Sequence, residues 1–250
     1  MRKGIYFFIL FTIIACKPAQ WQVKNATSTK IALDASTQSL ADTAYINYLQ
    51  PFKKQVDSKM NVVIGRATET MRGHAPESLL SNFSADVYRK SASDLLKTKV
   101  DIGIVNLGGL RTIIPAGDIT VRKVFELMPF ENELVVVWLR GNKLNELCQY
   151  FASMGGEGVS GLRMMIKNKK AIDITINGIA LDNSKLYSIA TNDYLAGGND
   201  KMEILTENEK RVNTGLKIRN MLLDYIKAET AKGNEINAFL DGRISLVTSE

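Results

Sequence analysis

Apolar positions recur at helical spacing through Ile46, Leu49, Phe52 and Val56, which predicts a helix from Asp42 to near Lys59. Asn61 to Ala67 then reads as a strand. Pro76-Glu77-Ser78 opens a second helix, with Leu79, Leu80, Phe83, Val87 and Leu95 facing inward. The apolar run Val100 to Val105 predicts a buried strand that ends at Asn106. Val121 to Leu127 reads as a short helix and Glu133 to Leu139 as a β-rich strand, with Phe130 before it as a core packing corner. Lys143 to Ala152 is a helical pattern with Leu144, Leu147, Cys148 and Phe151 on one face. Gly155 to Gly158 reads as a flexible loop. Strands at Leu162 to Ile166, Ala171 to Ile176 and Leu186 to Thr191 follow, joined by tight turns at Lys167 to Lys170 and Asn177-Gly178. Gly215 to Ile226 forms an amphipathic helix through Leu216, Met221, Leu222 and Tyr225, and Arg243 to Val247 a closing strand. Helices and antiparallel strand runs segregate instead of alternating strictly. That predicts an α+β fold, a single domain with a mixed β-sheet flanked by helices.

The amino terminus follows a different pattern. Met1-Arg-Lys is a short basic region, Gly4 to Ile14 is an apolar stretch too short to span a bilayer, and Ala15-Cys16 closes it, as in a secretory signal. Ile13-Ile14-Ala15-Cys16 resembles the bacterial lipobox, which implies that Cys16 is lipidated and becomes the new amino terminus. An acyl anchor would hold the protein at a membrane surface of the bacterial cell envelope, periplasmic or surface-facing. The expected organisation is a lipoprotein signal over residues 1–16, a Ser/Thr/Lys/Gln/Asn-rich linker over 17–41, and the domain over 42–250. Within the linker, Trp21 and Lys30 to Leu33 offer an edge strand as the alternative.

Composition narrows the picture in three ways. The 250 residues with 45% hydrophobic content are enough for a substantial core, so disorder is not the default. A net charge of +6 favours acidic partners such as nucleotides or anionic headgroups, but no dense Lys/Arg run or aromatic-basic interleaving marks a nucleic-acid groove. With Cys16 acylated, Cys148 has no partner, and no structural disulfide is expected. Its place on an apolar helix face makes Cys148 a small core residue, not a nucleophile.

The chemistry is concentrated after the strand that ends at Asn106. Asn106-Leu-Gly-Gly-Leu-Arg111 puts a polar loop at a strand's carboxyl end, where open α/β sheets bind ligands. Gly108 and Gly109 let backbone N–H groups approach a ligand closely, while Asn106 and Arg111 supply an amide and a planar cation suited to a hydroxylated or anionic molecule. This loop, together with Ile114-Pro-Ala-Gly-Asp-Ile119, Pro129-Phe-Glu-Asn132 and Leu134-Val-Val-Val137, resembles the carboxyl-terminal domain of the 5′-nucleotidase family. A second block, Tyr187 to Asp200, resembles that family's other ligand-binding segment in the expected order. The resemblance runs from about Asp42 to the end of the chain. It implies that Tyr194 stacks on a nucleobase, that Asp200 hydrogen-bonds a ribose, and that Asn106, Gly108, Gly109, Arg111, Tyr194 and Asp200 share one nucleoside- or nucleotide-binding site. The opposite wall is expected within Gly158 to Arg163, at the aliphatic Val159. Some relatives carry a phosphate-directed arginine where this chain has Pro76; Arg72 lies nearby.

In that family a separate amino-terminal metallophosphoesterase domain carries the metals and the chemistry. Metal-assisted phosphoester hydrolysis needs clustered Asp, His and Asn ligands. The single histidine, His74, and the lack of metallophosphoesterase motifs lead to no catalytic residues, no metal ligands and no cofactor in this chain, with a divalent metal expected only on a partner. Two functions follow from the resemblance. One is the substrate-recognising half of a 5′-nucleotidase-type phosphohydrolase that acts with a separate metallophosphoesterase chain. The other is a non-catalytic envelope lipoprotein that binds nucleosides, nucleotides or nucleotide sugars.

Overall fold

The structure, a computed structural model, describes residues 21–32 and 34–247. Cys16 and its signal segment lie outside these residues. The chain divides into two compact units, 1–50 and 51–250. In the first, residues 21–32 form neither helix nor strand, so the alternative edge strand does not form over its described part. Trp21 is exposed and has no ladder to join. A 3₁₀ stretch, Ala35–Leu40, precedes α1 (Thr43–Met60). The Asp42 carboxylate accepts the Ala44 and Tyr45 N–H groups at 2.8 and 3.2 Å and so fixes where α1 starts. The apolar positions Ile46, Leu49, Phe52 and Val56 are exposed along this helix. No helix among the described residues is long and apolar enough to cross a membrane.

The second unit continues with β1 (Val63–Ala67), α2 (Leu79–Leu96), β2 (Ile102–Val105) and β3 (Gly117–Thr120), β3 returning to pair antiparallel with β1. Next come α3 (Val121–Leu127), β4 (Glu133–Arg140), α4 (Gly141–Met154), β5 (Gly158–Ser160), β6 (Leu162–Lys167), β7 (Lys170–Ile176), β8 (Ile179–Ala180) and β9 (Leu186–Asn192). A single turn, α5 (Asp193–Ala196), then β10 (Lys210–Lys217), α6 (Ile218–Ala231) and β11 (Ile244–Leu246) complete the order. The central sheet runs β10-β4-β9-β2-β5, and a second sheet runs β11-β6-β7-β8. In the central sheet β2 and β9 are parallel neighbours while β4 and β5 are antiparallel to theirs, which makes it the mixed sheet of the expected α+β fold.

Burial on both faces explains the unbroken apolar run of β4. Leu134 and Val136 point to a layer with α2, α3 and α6, whereas Val135, Val137 and Leu139 point to one with α4 and the second sheet. The first layer requires α2 to lie directly on β2. A Cβ at Gly103 would stand 2.3 Å from the Ala85 carbonyl oxygen, so glycine is the residue that permits this contact. The two-residue loop Asn168-Lys169 and the Asn177-Gly178 pair have positive φ, which matches the twist of the hairpins they close.

Two local expectations change. Leu95 is exposed although it lies on the same face as Val87 and Ala92, because it falls in the last turn of α2, which ends at Leu96. Gly215 to Lys217 belong to β10 and not to a helix, which starts only at Ile218. Pairing of Lys210 to Asn213 with β4 overrides the amphipathic pattern, and an irregularity at Gly215, with φ 71°, lets the strand rejoin at Lys217 opposite Glu133.

The start of α2 bears on the site because this helix backs β2. Ser78 caps it: the Ser78 hydroxyl accepts the Ser81 N–H at 3.4 Å, and the Ser81 hydroxyl accepts the Ser78 N–H at 3.2 Å. Both serines are buried, so neither group has water as a substitute. Ser78→Ala should lower the unfolding free energy by about 1 kcal/mol in urea titrations. An unchanged midpoint and slope would mean that the cap contributes nothing.

Candidate functional site

Because β2 and β9 run parallel and side by side, their carboxyl ends deliver two loops to the same edge of the sheet. From β2 comes Asn106, buried, followed by the 3₁₀ turn Leu107–Gly109. From β9 comes Asn192, whose side chain caps α5 by accepting the Leu195 N–H at 2.7 Å and donates to Asn106 Oδ1 at 3.4 Å. Tyr194 projects from that turn of helix, 41% exposed. The loop after it bends back through left-handed residues at Gly198, Asp200 and Lys201. It is held by Asn199 Nδ2 donating to the Tyr194 carbonyl at 2.8 Å and by the Tyr150 hydroxyl donating to the Asp200 carbonyl at 2.8 Å.

Asn106, Gly108, Gly109, Arg111, Tyr194 and Asp200 all line one cleft of about 350 Å³, together with Met128, Phe130, Asn132 and Asn192. Asp200 is its organising group: Oδ1 accepts the Tyr194 hydroxyl and Oδ2 accepts Asn106 Nδ2, each at 2.8 Å. That hydrogen bond to a carboxylate raises the Tyr194 phenol above its ordinary pKa. The Arg111 guanidinium donates to the Gly108 carbonyl at 3.2 Å and lies 5.8 Å from the centroid of the Phe130 ring. Neither Arg72 nor Pro76 lines the cleft. A larger cavity of about 540 Å³, between the end of α6 and Thr68, contains none of the six residues.

Phe130 and Val159 exchange their expected roles. Phe130 is 42% exposed and forms a wall of the cleft, whereas Met128 takes the buried place at the Pro129 corner. Arg219 holds that corner from α6: its Nη1 reaches the carbonyls of Met128, Pro129 and Phe130 at 3.5, 3.4 and 3.4 Å. Its Nη2 pairs with Glu131, and its guanidinium carbon sits 4.2 Å over the Phe125 ring. Val159 is buried in the apolar layer beneath β5 and is not a wall, because its antiparallel register opposite Ile104 turns it into the core. Cys148 is also core, and burial pushes its thiol up to about 12, which leaves almost no thiolate at neutral pH.

The segment expected to be a flexible loop carries a buried carboxylate. Glu157 Oε1 accepts the Leu107 N–H at 2.6 Å and the Gly158 N–H at 3.2 Å, so it supports the Asn106 loop from behind. Burial pushes its pKa up to about 7; the two N–H groups act against the rise and the nearby Asp200 charge adds to it. Glu157 and Arg219 belong to no motif, since their contacts with Leu107 and with the Met128 to Phe130 carbonyls are distant in sequence, and the reach of Asn192 to Asn106 is equally non-local.

No group of three or more His, Cys, Asp or Glu among the described residues is placed to hold a metal. The cleft instead offers two aromatic faces, one carboxylate with both oxygens oriented, three asparagine amides and a guanidinium. That set can grip a flat, hydroxylated, partly anionic molecule.

Residues 63–207 match the family model described as the 5′-nucleotidase C-terminal domain. The 5′-nucleotidase of Vibrio cholerae is 24% identical over 202 residues, covering 78% of this chain and 36% of that protein. The trifunctional nucleotide phosphoesterase of Bacillus subtilis is 28% identical over 220 residues, covering 80% of this chain and 15% of that protein. The crystal structure of a 5′-nucleotidase precursor from Thermus thermophilus superposes with a TM-score of 0.69 at 29% identity, over 83% of this chain and 43% of the other. The chain thus spans about a third of the length of the Vibrio relative.

Proposed function

The chain belongs to the 5′-nucleotidase C-terminal-domain family, and on that premise we propose that it is the nucleoside- or nucleotide-recognising half of a 5′-nucleotidase-type phosphohydrolase. The observation that carries the proposal is the meeting of Tyr194, Phe130, Asp200, Asn106 and Arg111 in one cleft. In this reading a base lies against the faces of Tyr194 and Phe130, each contact worth about 1–3 kcal/mol. Asp200 accepts hydrogen bonds from the sugar hydroxyls, and Arg111 with Asn106 faces the 5′ substituent from the strand-end loop. A separate metallophosphoesterase chain supplies the metal ions and the activated water. A lipid at Cys16 keeps the recognition half at an envelope membrane, where that partner would meet it.

Calorimetric titration of adenosine, AMP and UDP-glucose tests the first part. Saturable binding of at least one is expected, and absence of binding by all three overturns the reading. The second part is tested by hydrolysis of 5′-nucleotides with Mn²⁺ or Zn²⁺. The 250-residue chain alone should give no metal-dependent turnover. Addition of it to a lone metallophosphoesterase domain should raise that domain's rate or lower its KM. Binding without any gain on mixing would favour the non-catalytic binding lipoprotein.

A further inference from the structure

Tyr194 does more in this cleft than present a ring. Its hydroxyl donates to Asp200 Oδ1 while Asn106 Nδ2 donates to Oδ2, both at 2.8 Å, so the carboxylate is held at both oxygens. The Asp200 backbone is constrained as well, with φ 54° in the left-handed region and its carbonyl tied to the Tyr150 hydroxyl. Asn106 is in turn fixed by Asn192, which also caps α5, the turn of helix that carries Tyr194. Tyr194, Asp200, Asn106 and Asn192 therefore form one hydrogen-bonded set that fixes the plane of the carboxylate.

An ionised carboxylate has about four lone-pair sites. With one on each oxygen occupied, each oxygen keeps acceptor capacity, and the two lie at a fixed spacing that suits hydroxyls on adjacent carbons. A carboxylate free to rotate would meet one hydroxyl as readily as two. We infer that the Tyr194 hydroxyl is a positioning group that sets selectivity for a ligand carrying a vicinal diol, and that it acts through Asp200. The inference rests on the proposed nucleoside reading and deepens it. It also changes what is expected of Tyr194→Phe: a ring that only stacked would tolerate the loss of its hydroxyl, whereas this one would release Asp200 Oδ1.

The test compares the affinities of the full-length protein for adenosine and for 2′,3′-dideoxyadenosine, which keeps the base and lacks the diol. Tyr194→Phe should reduce the preference for adenosine by about fivefold, the size of one net hydrogen bond. In an Asp200→Ala background the same substitution should leave the ratio unchanged, since nothing remains for the hydroxyl to orient. Circular dichroism and thermal melts of each variant confirm that the comparison is between folded proteins. An unchanged ratio in Tyr194→Phe overturns the inference while leaving the nucleoside reading intact. An equal fall in the Asp200→Ala background overturns it too, because the hydroxyl would then act by another route. If the wild type binds none of adenosine, AMP and UDP-glucose, the nucleoside reading itself fails, and this inference with it; if it binds AMP alone, the same comparison is made with AMP and its 2′,3′-dideoxy form.

Discussion

Glu157→Gln is expected to stabilise the protein by roughly 2–4 kcal/mol at pH 8 and by almost nothing at pH 4. The sign follows from the direction of the shift. Burial raises the Glu157 pKa from 4.5 to about 7, so the folded state binds this proton more tightly than the unfolded chain does. The favourable contribution is fully present below pH 4.5 and is lost as pH rises through about 7. Above that, the fold carries an ionised carboxylate with two N–H partners and no salt bridge. Glutamine imitates the protonated form and keeps an oxygen for the Leu107 N–H. Urea denaturation of both proteins at pH 4, 6 and 8 measures the difference, and a gap that does not widen with pH would contradict a raised pKa. A carboxylate kept here at the expense of stability is in keeping with its place behind the Asn106 loop.

Phe130→Ala and Tyr194→Ala should each weaken nucleoside binding by about 1–3 kcal/mol, or roughly 5- to 150-fold in Kd. Both rings line the cleft and both are partly exposed, so truncation removes a face from the ligand without opening a core cavity. The double variant should lose less than the sum, because the two rings would share one base. Fluorescence or calorimetric titration of the three variants decides the matter. Normal affinity in Phe130→Ala would reduce the site to a single aromatic wall.

The elements that local pattern could specify were legible in the sequence. The alternation of β6 and β7, the unbroken run of β4 and the helical stripe of α4 each carry their periodicity within a dozen or so residues, and the structure has them within a few residues of the expected ends. The polar strand β10 was not legible, since Lys210 to Lys217 owes its conformation to pairing with β4 and its own pattern suits a helix as well. The same division holds at the cleft. Asn106, Gly108, Gly109 and Arg111 form a compact motif, and Tyr194 with Asp200 a second. Phe130 is ambiguous because a Pro-Phe corner before a strand serves either purpose, and the corner's backbone is held by Arg219, 89 positions away. The family's register places a wall at Val159, but pairing with β2, which is not visible in the segment Gly158 to Arg163 itself, decides which way it faces. Glu157 was hidden among glycines, and its principal partner, Leu107, lies 50 positions back.

The parallel pairing of β2 with β9 determines when in folding the cleft can form. Asn106 and Asn192 are 86 positions apart in the chain, yet their side chains meet across one strand spacing. Nothing local brings them together, so the cleft is created only when long-range strand pairing is complete, a late and comparatively slow event in folding. A ligand that recognises both loops has no partially assembled site to occupy and cannot chaperone an early intermediate. Its binding energy falls on the native state alone, so melting temperature should climb with ligand concentration as a single cooperative transition.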